Sequence, residues 1–175
     1  MAIRSIRKEG DEILRKRSKE VENIDDRIKE LFDDMLDTLK EYDGIGIAAV
    51  QVGVLKRMII VDLTDVIEGE NPIRLINPVI TKSKGEQTAE EGCLSIPNKY
   101  ANVIRPSEIT VEALNENGEK IKIEAKEIMA VVLSHEIDHL EGDLFIDKMV
   151  EGTLEVVTPE QKQEKKDKRK VDRKK

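Results

Sequence analysis

The sequence has no tryptophan, two phenylalanines, two tyrosines, one cysteine and two histidines in 175 residues. So few rings leave little to stack on bases, so no direct reading of nucleic acid is expected. The single cysteine, Cys93, rules out an intrachain disulfide and points to a reducing, cytoplasmic setting. No apolar run approaches the roughly 20 residues that cross a bilayer. Residues 1–7 hold no apolar stretch of signal-peptide length, so a soluble chain with no membrane partner is expected. The net charge of −7 also argues against a surface built as a whole to hold a polyanion.

What is present is charge and aliphatic bulk, at 38% each, so a core must be made of Ile, Leu, Val and Met. The length suits one domain able to bury a sizeable core. Charge is unevenly placed: residues 160–175 carry nine Lys or Arg against four Asp or Glu, a local +5 that leaves −12 for the rest. An acidic body with a basic tail over residues 151–175 follows.

Along the chain, residues 3–21 mix isolated apolar positions with charges and predict an irregular lead-in. Ile24, Ile28, Leu31, Phe32, Met35, Leu36 and Leu39 then recur every three or four residues, with Asp25 and Asp26 where a helix start favours negative charge. The pattern predicts an amphipathic helix over residues 25–42, with Gly44 as its stop signal. Residues 44–53 superficially match a dinucleotide fingerprint, but a helix precedes them and the strand-like residues 57–62 follow. That order is wrong for a phosphate loop. Within this glycine turn, Gln51 is a lone amide that needs a buried partner or a ligand. Strands are expected over residues 74–81, where Pro78 argues for an edge or an end, and over 108–115 and 119–125, where Asn117-Gly118 marks a hairpin. From Glu127 the period is helical again, and Ile128, Val131, Val132, His135 and His139 fall on one face. Beyond Pro159 the tail is expected to be a solvated helix or an extension with no core of its own.

Both histidines lie in Ser134-His135-Glu136-Ile137-Asp138-His139, four residues apart around a glutamate. On a helix, that spacing lets His135 and His139 present two imidazoles to one metal ion while Glu136 reaches a metal-bound water. A third ligand is required. No third histidine exists, and Glu151, Glu155, Glu160 and Glu164 lie in or near the tail, poorly placed to converge on a buried centre. Cys93 is the remaining soft ligand, in Glu91-Gly92-Cys93-Leu94-Ser95, where Pro97 is expected to end any strand. A His2Cys set would leave a fourth position open for water, the mark of a catalytic site.

The stretches over residues 44–51, 91–95 and 135–142 together resemble the three motifs of the peptide deformylase family, in order and at similar separations. The resemblance implies removal of the formyl group from N-formylmethionine of newly made proteins, releasing formate, with a metal-bound water as nucleophile. It implies Fe2+ as the usual ion, with Zn2+, Ni2+ or Co2+ possible in a given preparation. By motif position Cys93, His135 and His139 would be ligands and Glu136 the general acid and base. The Gln51 side chain and the Leu94 N–H would hold the oxyanion, and Gly46 would belong to the substrate-binding loop. Ile45, Ile128, Val131 and Val132 would wall a pocket suited to a methionine side chain. Ser134 departs from the family, which commonly has Gln there. The basic tail is weakly implied as a ribosome contact. The expected whole is an α+β fold, antiparallel strands packed around a metal-bearing C-terminal helix with an N-terminal amphipathic helix. Residues 1–150 would form the deformylase-like catalytic domain and 151–175 the tail. An endopeptidase of the His-Glu-x-x-His type and a non-catalytic ribosome-associated module are the competing readings.

Overall fold

A computed structural model of the chain describes residues 2–173; Met1 and the last two residues of the tail lie outside the described residues. Helix α1 (Asp26–Glu41) opens on Asp25, whose carboxylate accepts the Ile28 N–H at 3.1 Å. Its end differs from the expected glycine stop. The left-handed residue is Asp43 (φ 58°), and Gly44 follows it, donating its N–H to Leu39 O at 3.0 Å. Gly44 is small for another reason, since a Cβ there would meet Leu39 Cδ1 at 2.6 Å.

The strands are β1 (Gly46–Ala48), β2 (Met58–Val61), β3 (Ile73–Lys84), β4 (Gln87–Cys93), β5 (Ile96–Arg105), β6 (Glu108–Leu114) and β7 (Lys120–Lys126). Helix α2 (Glu127–Leu140), strand β8 (Glu155–Val156) and helix α3 (Pro159–Arg173) complete the chain. One antiparallel sheet has the order β1-β2-β3-β6-β7 and a second the order β4-β5-β8. Among the described residues no helix is long and apolar enough to cross a membrane.

Strand β2 shows how the larger sheet is covered. Its four residues are all buried, and period-2 alternation sends Met58 and Ile60 toward α1, with Phe32, Met35 and Leu39, and Ile59 and Val61 toward α2, with Ala130, Leu133 and Ile137. Burial on both faces explains why the run is continuously apolar. The fold is α+β as expected, with strands packed around α2 and α1 closing the opposite face. The β6–β7 hairpin also forms where expected, though its turn is built on Asn115, whose Oδ1 accepts the N–H groups of Asn117 and Glu119.

Of the two placements expected for Pro78, the structure has the edge and not the end: it falls at a register shift between Ile76 and Val79, just after the last β2 partner, so its missing N–H is absorbed where β3 pairs only with β6. Two expectations need correction. Pro97 starts a strand instead of ending one, as the second residue of β5. Residues 46–48 of the supposed glycine turn are the outer strand β1, followed by a 3-10 turn, Ala49–Val52.

The tail is helical through residue 173 and is tied to the body. Thr158 and Gln161 cap α3 reciprocally, Gln161 N–H to Thr158 Oγ1 at 3.2 Å and Thr158 N–H to Gln161 Oε1 at 2.9 Å. Lys165 Nζ meets Glu90 Oε1 at 2.5 Å and lies over the Tyr100 ring, while Lys166 Nζ reaches Asp43 Oδ2 at 3.3 Å. These contacts are made by lysines, to carboxylates and to one ring, and no residue of α3 joins an apolar core cluster among the described residues.

Candidate active site

Helix α2 begins at Glu127, directly after β7, and lies against the sheet through Met129, Ala130, Val132, Leu133, Ile137 and Leu140. This packing sets the rotation of the helix and leaves His135, Glu136 and His139 turned toward β1 and the β4–β5 hairpin. There Cys93 ends β4. The ligand atoms of Cys93, His135 and His139 lie within 4.8 Å of one another, with Cys93 Sγ 3.4 Å from His139 Nε2. Metal–sulfur and metal–nitrogen bonds of about 2.3 and 2.0 Å place tetrahedral donors roughly 3.5 Å apart, so this pair already stands at ligand spacing. One thiolate and two imidazoles fit a borderline-soft divalent ion.

A ring of buried charge holds the two elements together. Glu91, two residues before Cys93, accepts Arg105 Nε at 2.7 Å and Nη2 at 2.8 Å, and pairs with His135 Nδ1 at 2.8 Å. The third arm of Arg105 donates to Asp138 Oδ2 at 2.6 Å, and Asp138 lies on α2 three residues after His135. Burial works against the charge on Glu91, yet hydrogen bonds from Arg105 and His135 keep its pKa below the usual carboxylate value. With Nδ1 committed to Glu91, His135 is left with Nε2 for the ligand cluster.

Glu136 is 3% exposed, and its Oε2 has no hydrogen-bond partner among the described residues. Burial pushes its pKa up to about 7. Burial disfavours charge on His135 too, but interactions with Cys93 and Glu91 outweigh it and hold its pKa well above the ordinary imidazole value. His139 is driven well below that value by burial and then by the charge of His135, whose ring centroid is 5.0 Å away.

Gln51 sits in the 3-10 turn after β1, 1% exposed. Its Oε1 accepts the Ala48 N–H at 2.9 Å, and its Nε2 faces Cys93 Sγ at 3.4 Å and Ser95 Oγ at 3.1 Å. Leu94 lies between Cys93 and Ser95, in the tight connection from β4 to β5. Gly46 approaches so closely that a Cβ there would stand 2.7 Å from Glu136 Oε1 and 2.9 Å from its Cγ. The structure thus brings Gly46, Gln51, Cys93, Leu94, His135, Glu136 and His139 into one place.

The expected apolar wall is less uniform. Val132 is buried in the core between α2 and the sheet, with Ile45 partly buried against that core; Val131 is also buried, and Ile128, in the first turn of α2, is 36% exposed. Ser134 is buried with its Oγ lacking a partner among the described residues. Glu91, Ser95, Arg105 and Asp138 were not singled out by sequence reasoning, although Glu91 and Ser95 flank Cys93 and Asp138 lies between the histidines. Arg105, an isolated cation in β5, carries no local signal.

A model of the polypeptide deformylase family matches residues 3–154. The chain is 55% identical over 150 residues to a peptide deformylase of Acetivibrio thermocellus, across 86% of this chain and 85% of that protein. The crystal structure of peptide deformylase from Thermotoga maritima is similar at a TM-score of 0.81 and 38% identity, covering 86% of this chain and 99% of its own. A crystal structure of a peptide deformylase from Legionella pneumophila matches at a TM-score of 0.80 and 36% identity, covering 99% of this chain and 96% of its own.

Proposed function

This chain belongs to the polypeptide deformylase family, a family of hydrolases, and from that premise we propose that it removes the formyl group from N-formylmethionyl nascent peptides in the cytoplasm. The observation that carries the reading is the convergence of Cys93, His135 and His139 beside a buried Glu136, whose Oε1 lies 3.9 Å from His135 Nε2 and whose Oε2 has no hydrogen-bond partner among the described residues. The three ligands would hold Fe2+, or Zn2+, Ni2+ or Co2+ in a given preparation. When bound, the ion supplies Lewis-acid polarisation of the formyl carbonyl and acidifies a water for attack.

The chain's own groups do the rest. Glu136 takes the proton of the attacking water and returns it to the leaving nitrogen as the C–N bond breaks, so formate and a free amine leave. Burial raises this carboxyl to about 7 in the metal-free chain, and that upward direction favours a group able to give the proton back as well as take it. The Gln51 Nε2–H and the Leu94 N–H donate to the oxyanion of the tetrahedral stage, each worth about 3 kcal/mol there. Strand β1, with Gly46, and strand β4, with Cys93, are the outer strands of two different sheets, so each offers main-chain groups to an extended peptide. Ile45, Ile128, Val131 and Val132 wall the pocket for the methionine side chain. Residues 1–150 make the catalytic unit, and the basic tail, residues 151–175, contacts the ribosome.

Formate release from formyl-Met-Ala-Ser, with metal measured on the same sample, tests the reading. Turnover of this peptide with no cleavage of a blocked internal peptide is the expected result. Cleavage of the internal peptide without formate release overturns it in favour of an endopeptidase.

A further inference from the structure

Three consecutive residues of the N-terminal segment hold three main-chain carbonyls of the site. Arg7 N–H donates to Gln51 O at 2.7 Å, Lys8 Nζ to Leu94 O at 3.4 Å, and Glu9 N–H to Ser95 O at 2.8 Å. Gln51 and Leu94 are the two residues assigned above to the oxyanion, and Ser95 is fully buried next to them. The segment therefore ties the 3-10 turn that carries Gln51 to the β4–β5 connection that carries Leu94 and Ser95.

The side chains carry the same tie. The Gln51 amide is oriented by the Ala48 N–H on its oxygen, which directs both hydrogens of Nε2 toward Cys93 and Ser95. Ser95 Oγ takes one of them. Only the hydrogen facing Cys93 is then left to turn toward a substrate oxygen, and the direction of that N–H is set by the anchor on its twin.

We propose that Ser95 is a positioning residue for the Gln51 donor, and that residues 7–9 are the frame that keeps Ser95, Leu94 and Gln51 in register. This rests on the deformylase reading for its kinetic consequence but not for its geometry. Deleting an oxyanion donor outright costs about 10²- to 10³-fold in kcat, and loosening one costs less, about tenfold.

The test is a double-mutant cycle of Ser95→Ala with Gln51→Ala on the metal-loaded full chain. Ser95→Ala lowers kcat about tenfold with KM within about twofold of wild type, and in the Gln51→Ala background the same change costs less than about twofold. Glu9→Pro, which removes the N–H to Ser95 O, lowers kcat in the same direction at unchanged metal per chain. Independently of turnover, the two Gln51 side-chain N–H signals, assigned by their loss in Gln51→Ala, lose their protection from solvent exchange in Ser95→Ala. An equal loss of kcat from Ser95→Ala in both backgrounds overturns the proposal, and so do Gln51 signals as protected in Ser95→Ala as in wild type. If wild type releases no formate while the Gln51 signals change as expected, the functional reading fails and the positioning role stands.

Discussion

Replacing Gly46 with alanine puts one methyl group where the structure has no room for it. The new Cβ would lie 2.7 Å from Glu136 Oε1, 2.9 Å from Cγ and 3.0 Å from Cδ. Comfortable contact between such atoms begins near 3.5 Å, so the two groups must separate by roughly half an ångström or more. Neither can do so freely. Gly46 is paired with Val61 in the β1–β2 ladder, and Glu136 is held on a buried face of α2. Overpacking of this kind costs about 1–3 kcal/mol in stability. The larger effect falls on catalysis, because a misplacement of about 1 Å can cost 10²-fold and Glu136 is the group displaced. We expect Gly46→Ala to lower kcat by about 10- to 100-fold, with metal per chain unchanged because none of the three ligands is touched. Formate release, metal analysis and urea unfolding on one preparation decide the matter. Wild-type kcat in a destabilised variant would show that the contact constrains packing only, and loss of metal would show that the strain reaches the ligands.

The other predictions concern groups whose surroundings differ. Glu136→Gln retains metal and loses about 10²- to 10⁴-fold in kcat, measured as formate release; more than about a tenth of wild-type kcat would remove the acid–base role. In the metal-free chain the same variant becomes more stable than wild type as pH rises. A carboxyl held up to about 7 when folded contributes its stability fully below its unfolded value near 4.5 and loses it as pH passes through 7. Paired unfolding curves at pH 5 and 8 should therefore diverge, by up to roughly 3 kcal/mol, and parallel curves refute the shift. Glu91→Gln removes one of the two carboxylates that face buried Arg105, Asp138 remaining, which should cost about 1–3 kcal/mol in stability and about 10- to 100-fold in metal affinity, read by unfolding and metal titration. Truncation after Thr158 removes the lysine ion pairs of α3 and the Lys165 contact with the Tyr100 ring, so stability should change by about 1 kcal/mol and tripeptide hydrolysis should hold. Ribosome co-sedimentation at low salt should weaken in the truncated chain, and equal co-sedimentation would remove the tail from that contact.

What could be read from the sequence followed from regular spacing. Helix α1 and the β6–β7 hairpin announce themselves through apolar periods of three to four and of two, and His135, Glu136 and His139 through a helical repeat. Strands β4 and β5 do not, because in Gln87–Cys93 the one buried residue is a glutamate, and in Ile96–Arg105 the buried positions include an arginine and a small alanine beside a lysine and a proline, so neither shows an apolar period of two. The lead-in, whose one helical element is the 3-10 turn Glu12–Arg15, is irregular as its scattered apolar positions predict, and that irregularity conceals its role. Its backbone spends hydrogen bonds on Gln51 and Ser95, and main-chain partners leave no trace in side-chain pattern.

The charge ring was illegible for a related reason. In a chain with 38% charged residues, Glu91, Arg105 and Asp138 look like surface, and their pairing spans 14 and 33 positions. Yet the ring answers a problem that the motif alone leaves open. Two ligands come from α2 and one from β4, and these elements belong to different packing layers. His135 binds Glu91, Glu91 binds Arg105, and Arg105 returns to Asp138 on the helix that carries His135. The loop closes through β4 and β5, so it fixes how far along α2 the Cys93 strand can sit. Each member is paired on more than one side, which is the condition under which buried charge specifies an arrangement at tolerable cost. The spacing of Cys93 from the two histidines is therefore held by a ring in which Glu91, Arg105 and Asp138 lie outside the candidate ligand group and His135 belongs to both, so charge ties a second strand to the helix that carries the i, i+4 pair.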